Sequence, residues 1–95
     1  TNQDPRRKIE TQTMLGNCFL EKEMFDLAEN QLRKAIEEMP GMSDRSKEIL
    51  YSLGVLKEKQ GKPKDALAEY KKIYEVDISF KDVSERMEAL KKEIA

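Results

Sequence analysis

The sequence predicts an all-α protein, a right-handed α-solenoid of two helix-turn-helix units followed by a capping helix. One ordered set of residues occurs twice, with an offset of 38 residues from Gly16 to Gly54 and again from Ala28 to Ala66. Apolar residues recur at intervals of three and four, which is the spacing of one helix face. The chain contains neither alternating apolar runs nor the Asn-Gly and Asp-Gly turns of β-hairpins. We therefore expect five helices and no sheet.

The first helix pair is delimited by capping residues and by proline. Asp4-Pro5 predicts an N-cap followed by proline at the first helical position, and the helix continues to about Lys22. After a short turn, Asp26 is expected to cap the second helix, with Glu29 completing a capping box. Pro40-Gly41 should end that helix, since proline cannot continue it. The apolar positions are Ile9, Leu15, Phe19 and, more loosely, Met14 and Cys18 on the first helix, then Leu27, Ala28, Leu32, Ala35 and Ile36 on the second.

The second pair and the last helix are delimited in the same way. Ser43 is expected to cap the third helix, and Gly61 followed by Pro63 should separate it from the fourth. A turn at 77–79 then leads to the last helix, for which Ser79 and Asp82 suggest a second capping box. The apolar stripe of that helix is Phe80, Val83, Met87, Leu90 and Ile94.

Two glycines inside helices indicate close packing. Glycine in a helix costs up to about 1 kcal/mol relative to alanine, so a chain tolerates it where another backbone must approach closely. We expect Gly16 and Gly54 each to face the other helix of its own pair, with Leu32 and Tyr70 beside the two contacts.

Composition narrows the classes of function. Hydrophobic residues make up 38% of the 95 residues and charged residues 39%, with 18 basic and 19 acidic side chains. This near balance argues against a nucleic-acid binder, which normally carries a basic excess. No apolar run is long enough to span a membrane. The single cysteine, Cys18, excludes an internal disulfide.

Catalytic and metal-binding signals are also missing from the sequence. There is no histidine, no glycine-rich phosphate loop and no Cys/His cluster with metal-ligand spacing. We therefore expect neither enzymatic activity nor a cofactor. No signal peptide is visible, so a soluble, cytoplasmic protein is the default expectation. The chain does not begin with methionine, and we expect it to be part of a longer protein.

The repeated residues resemble the tetratricopeptide repeat family. The matching positions are Leu15, Gly16, Phe19, Phe25, Ala28, Leu32, Ala35 and Pro40 in residues 9–42, and Leu53, Gly54, Gly61, Ala66, Tyr70, Val76 and Asp77 in residues 47–80. The resemblance implies a single domain over residues 1–95 with a capping helix over 80–95. It also implies a protein-protein interaction module. The offset of 38 residues exceeds the family's repeat of about 34, and we place the additional residues in 41–44.

The resemblance also implies a concave groove formed mostly by the first helix of each pair. The partner-binding residues carried over onto this chain are Glu10, Thr13, Asn17, Leu20, Glu48, Tyr51, Val55 and Glu58. Some family members grip a terminal carboxylate with a clamp of lysine, asparagine and arginine. Here only Asn17 and Arg86 match that clamp, and Asp82 reverses one of its charges. We reject the clamp because an acidic groove repels a carboxylate.

We expect the groove to bind a basic or amphipathic segment of a protein partner. Leu20, Tyr51 and Val55 would supply apolar anchors, flanked by the charges of Glu10, Glu48 and Glu58. The alternative is that these carboxylates form an ordinary solvated helix face, with neighbours such as Glu58/Lys62.

Self-association is a further functional hypothesis. The seam of Val83, Met87, Leu90 and Ile94 could pair with another copy of the chain and form a homo-oligomer. Its capping signals instead favour a helix packed on the fourth helix. A spacer role in a longer scaffold is a further alternative.

Overall fold

The computed structural model describes residues 5–39 and 41–95, and within these ranges the chain forms five helices and no strand. The helices are α1 (Pro5–Glu21), α2 (Phe25–Glu37), α3 (Asp44–Lys59), α4 (Pro63–Tyr74) and α5 (Val83–Ile94). The all-α prediction is confirmed. The predicted cap Asp4 and the predicted helix stop Pro40 lie outside the described residues. No helix in the described part of the chain combines the length and apolar character needed to cross a membrane.

The chain divides into two compact units, Thr1–Ile49 and Leu50–Ala95, with α3 spanning the boundary. In the first unit α1 packs on α2. The helices come close at Gly16, where an added Cβ would lie 2.7 Å from Cγ of the fully buried Leu32. This confirms that Gly16 faces the other helix of its pair. A neighbour at that distance explains why alanine is absent from this position.

In the second unit, the C-terminal part of α3 packs on α4 in the same manner. A Cβ on Gly54 would lie 2.6 Å from Cζ and 2.8 Å from Cδ1 of Tyr70, whose side chain is fully buried. Helix α5 packs on α4 as well. The seam residues Val83, Met87 and Leu90 are buried, so the expected packing of the last helix on α4 is confirmed.

Two of the predicted helix starts are confirmed, those of α3 and α4. The backbone N–H of Ser46 donates to Oγ of Ser43 at 3.2 Å, so Ser43 caps the start of α3. Helix α4 begins at Pro63, after a turn in which Gly61 takes a φ of 73°. That conformation favours glycine, because a Cβ would clash with the backbone.

The predicted cap of α2 is wrong. The N-cap residue is Met24, which makes no side-chain capping bond, and Asp26 instead lies in the first turn of the helix. The turn before α2 explains the difference. Glu23 adopts a φ of 59°, and the Met24 N–H donates to the Phe19 carbonyl at 2.8 Å, so the helix begins two residues earlier than predicted. Glu29 pairs with Arg33 at 3.1 Å.

The predicted capping box of the last helix is also wrong. Helix α5 starts at Val83, and its N-cap residue Asp82 makes no side-chain capping bond. The Ser79 hydroxyl donates to Oδ1 of Asp77 at 3.0 Å, and Lys81 has a φ of 44°. A positive φ cannot continue a right-handed helix, so Phe80 remains outside α5.

Candidate functional site

A cleft of about 510 Å³ in the first unit brings together three of the predicted site residues. We call it the acidic cleft, and its lining residues are Glu10, Thr13 and Met14 from α1 and Asp44, Arg45 and Glu48 from α3. Glu10, Thr13 and Glu48 were expected in a partner-binding groove. The structure therefore places these three side chains around one opening of the first unit.

Helical spacing explains why these side chains face the cleft. Glu10, Thr13 and Met14 stand at positions i, i+3 and i+4 of α1, which lie on one helix face. Each helix is anchored by a buried isoleucine next to a cleft residue, Ile9 on α1 and Ile49 on α3. The polar and apolar faces of both helices thus fix which side chains reach the opening.

The cleft carries more acidic than basic groups. Among the described lining residues, Arg45 is the one basic side chain beside three carboxylates. Arg45 Nη1 lies 3.1 Å from Glu10 Oε1, and the two side chains are 48% and 53% exposed. Asp44 pairs instead with Lys47 of its own helix at 3.0 Å. The resulting negative field favours a cationic ligand.

Thr13 and Met14 make the α1 side of the cleft partly apolar. The Thr13 hydroxyl donates a hydrogen bond to the Ile9 carbonyl at 2.7 Å, so its proton is directed at the backbone of its own helix. Met14 is 68% exposed, the largest exposure among the large apolar side chains that the structure describes in the first unit. The helical pattern placed Met14 loosely on the apolar face. Its spacing of four residues from Glu10 is the signal that could have assigned it to the cleft.

Three other predicted residues do not line this cleft. Asn17 and Val55 are half-buried. Leu20 is only 9% exposed and belongs to the core, so little of its side chain is open to a partner.

The remaining two predicted residues, Tyr51 and Glu58, belong to a polar network in the second unit. This arginine cluster consists of Tyr51, Glu58, Tyr70, Asp82 and Arg86. Arg86 donates from Nη1 to Glu58 Oε2 and from Nε to the Tyr51 hydroxyl, each at 2.9 Å. The Tyr70 hydroxyl donates to the same Glu58 oxygen, and the Tyr51 hydroxyl donates to Asp82, each at 2.5 Å.

Ring contacts strengthen the same network. The Tyr51 ring lies 5.7 Å from the Tyr70 ring between centroids, and the Arg86 guanidinium carbon lies 5.3 Å from the Tyr51 centroid. The polar atoms of Tyr51 and Glu58 are thus engaged within the second unit. Their assignment to a partner-binding groove stays a prediction. The ion-pair partner of Glu58 is Arg86, and not Lys62, the neighbour that the sequence suggested.

The cluster shifts the pKa values of its tyrosines. Burial, together with the hydrogen bond to Glu58, raises the pKa of Tyr70 well above its usual value. Burial, followed by the bond to Asp82, raises the pKa of Tyr51. The hydrogen bond from Tyr51 lowers the pKa of Asp82, with further help from Arg86.

These shifts predict a loss of stability at high pH. A pKa raised in the folded state contributes stability below the unfolded value of about 10, and that stability is lost as pH rises above it. Urea denaturation should show a free energy of unfolding that falls above about pH 10. For the Tyr70→Phe variant the slope should be less steep by about 1.4 kcal/mol per pH unit. Equal slopes for both proteins would contradict the burial of an un-ionised Tyr70.

Removal of the Arg86 guanidinium from the arginine cluster should also destabilise the second unit. We expect Arg86→Met to lower the free energy of unfolding by about 1–3 kcal/mol, because Glu58 and Tyr51 lose a charged donor while the aliphatic stem is kept. The measurement is urea denaturation followed by circular dichroism. Lys8→Met is the control, since the Lys8–Glu38 pair is a surface ion pair and should contribute less than about 1 kcal/mol. Equal losses in the two variants would contradict a central role for Arg86.

Among the described residues, no group of His, Cys, Asp and Glu side chains is arranged to hold a metal ion.

Comparison with known proteins identifies no relative. No protein-family model, no curated protein and no solved structure matches the chain.

Proposed function

We propose that the chain is a protein-binding module of the tetratricopeptide type, and that its acidic cleft binds a basic or amphipathic segment of a partner. The observation that carries the proposal is the acidic cleft itself. Glu10, Thr13 and Glu48, predicted as groove residues, meet there beside the exposed Met14. The repeated contacts of Gly16 with Leu32 and of Gly54 with Tyr70 support the helix-pair repeat.

The chemistry of the lining suits a mixed ligand. Carboxylates attract lysine and arginine side chains and steer their approach. Methionine is flexible and polarisable, so Met14 adapts to an apolar side chain of varied shape. A volume of about 510 Å³ falls in the range of small-ligand pockets, about 300–1,000 Å³, and accommodates a few side chains of a bound segment. Ion pairing and apolar contact are binding interactions, and the proposal assigns the cleft no catalytic role.

Self-association through the last helix has less support. Three of the four seam residues, Val83, Met87 and Leu90, are buried against their own unit, and Ile94 is half-buried, so the seam offers little apolar surface to a second copy. A spacer role within a longer scaffold is the outcome we would accept if the cleft bound nothing.

The test is selection of a random peptide library, displayed on phage, against the immobilised chain. We expect enrichment of sequences in which arginine or lysine lies next to apolar residues. Synthetic peptides from the selection should bind a Glu10→Lys/Glu48→Lys variant at least about tenfold more weakly, a change of about 1.4 kcal/mol, in calorimetric titrations.

A matched control uses the same charge change outside the cleft. Glu37 on α2 and Glu88 on α5 are exposed and do not line the cleft. Glu37→Lys/Glu88→Lys should therefore retain most of the affinity, and circular dichroism should show equal helix content in all three proteins. Selected peptides that bind the two variants equally, or a selection without enrichment, would contradict the proposed function.

A further inference from the structure

The basic side chain already present in the acidic cleft indicates how a partner binds there. Arg45 reaches from α3 to Glu10 on α1, with 3.1 Å between Nη1 and Oε1. The pair therefore joins the two helices that line the cleft, whereas the Asp44–Lys47 pair lies within α3 alone. Both partners of the first pair are about half exposed, so an incoming side chain can reach them.

We infer that Arg45 occupies the position of a partner's basic side chain, and that the partner binds by displacing Arg45 from Glu10. The inference rests on the proposed function and deepens it, because it names the first contact of the bound segment and the side chain that competes with it. The occupant is an amphipathic protein segment that presents arginine or lysine to Glu10 and an adjacent apolar side chain to Met14.

The energetics permit such an exchange. An exposed ion pair contributes only about 0–1 kcal/mol, because water screens the charges and two long side chains lose freedom. Exchange of one cation for another leaves Glu10 paired, while the displaced Arg45 is solvated. The partner also gains an apolar contact with Met14, which the ion pair of Arg45 with Glu10 does not provide. This additional contact favours the exchange.

The alternative use of Arg45 is as a direct ligand for an acidic partner group. The lining disfavours it, since Asp44 and Glu48 flank Arg45 in sequence and Glu10 lies against it. A carboxylate brought to Arg45 would meet this negative field. The charge of the lining therefore favours a cation.

The test is a calorimetric and NMR titration with one synthetic helical peptide in which arginine and leucine alternate along one face. Arg45→Gln removes the competitor and should tighten binding by about two- to fivefold, the ratio that corresponds to a surface pair of up to about 1 kcal/mol. The backbone amide signal of Met14 should move on binding in both proteins. Glu10→Gln should weaken binding, and the gain from Arg45→Gln should vanish in the Arg45→Gln/Glu10→Gln variant.

Arg7→Gln is the matched control, since Arg7 is an exposed residue of α1 that does not line the cleft. It changes the net charge equally and should leave the affinity unchanged. Weaker binding by Arg45→Gln would overturn the inference, because Arg45 would then contact the partner. An equal gain from Arg7→Gln, or a gain that persists without Glu10, would overturn it as a general charge effect. Binding by none of the variants and not by the original chain would instead contradict the proposed function.

Discussion

Replacement of Tyr70 by alanine should lower the free energy of unfolding by about 3–5 kcal/mol, the usual cost of truncating a buried aromatic side chain. Tyr70 is the largest of the fully buried side chains in the described part of the chain. Its ring fills the space beside Gly54 and contacts Tyr51, and its hydroxyl donates to Glu58. The substitution therefore leaves a cavity and also removes a hydrogen bond from a partly buried carboxylate.

The measurement is urea denaturation followed by circular dichroism, with Tyr74→Ala as the matched control. Tyr74 lies on the same helix but is 37% exposed, so its truncation should cost less than about 1 kcal/mol. Tyr70→Phe should cost about 1–3 kcal/mol, because it removes only the hydroxyl from the bond to Glu58. Similar losses for Tyr70→Ala and Tyr74→Ala would contradict the central position of Tyr70 in the second unit.

Substitution of Gly54 by alanine should be destabilising in spite of the higher helix propensity of alanine. The propensity gain is about 1 kcal/mol. Against it stands an added Cβ at 2.6 Å from Cζ of a buried, rigid ring, an overlap that only a shift of α3 or α4 can relieve. Overpacking of this kind typically costs about 1–3 kcal/mol, so we expect a net loss. Gly16→Ala should lose less, because its neighbour is the more flexible side chain of Leu32.

A double-mutant cycle isolates this contact. In the Tyr70→Ala background the ring is gone, and Gly54→Ala should become neutral or stabilising by up to about 1 kcal/mol. The coupling between the two positions should therefore be clearly non-additive in urea denaturation. Additive effects would show that the cost of Gly54→Ala does not come from Tyr70.

The residues at which several helices begin could be predicted, because helix caps depend on the chemistry of neighbouring residues. Ser43 caps α3 and Pro63 begins α4, since a hydroxyl acceptor and a fixed φ act on neighbouring residues alone. The starts of α2 and α5 were mispredicted. In both cases a non-glycine residue, Glu23 or Lys81, adopts a positive φ that a propensity pattern does not reveal.

The candidate site was predictable only in part. The resemblance selected Glu10 and Glu48, which do line the acidic cleft. It missed Arg45, because the Glu10–Arg45 pair joins residues 35 positions apart in the chain. It placed Glu58 in the concave groove without its partner, since the carboxylate pairs with Arg86, 28 positions away.

The sequence by itself determined that the chain is helical, where most helices begin and end, and that two glycines make close contacts at matched positions. These features depend on residues within one or two turns of each other, or on a pattern that repeats. Only the tertiary structure decided which charged side chains pair, that Leu20 is buried, and that Met14 is exposed beside Glu10. The physical reason is that burial and Coulomb interaction depend on distance in space, and helix packing brings together side chains that the sequence keeps far apart.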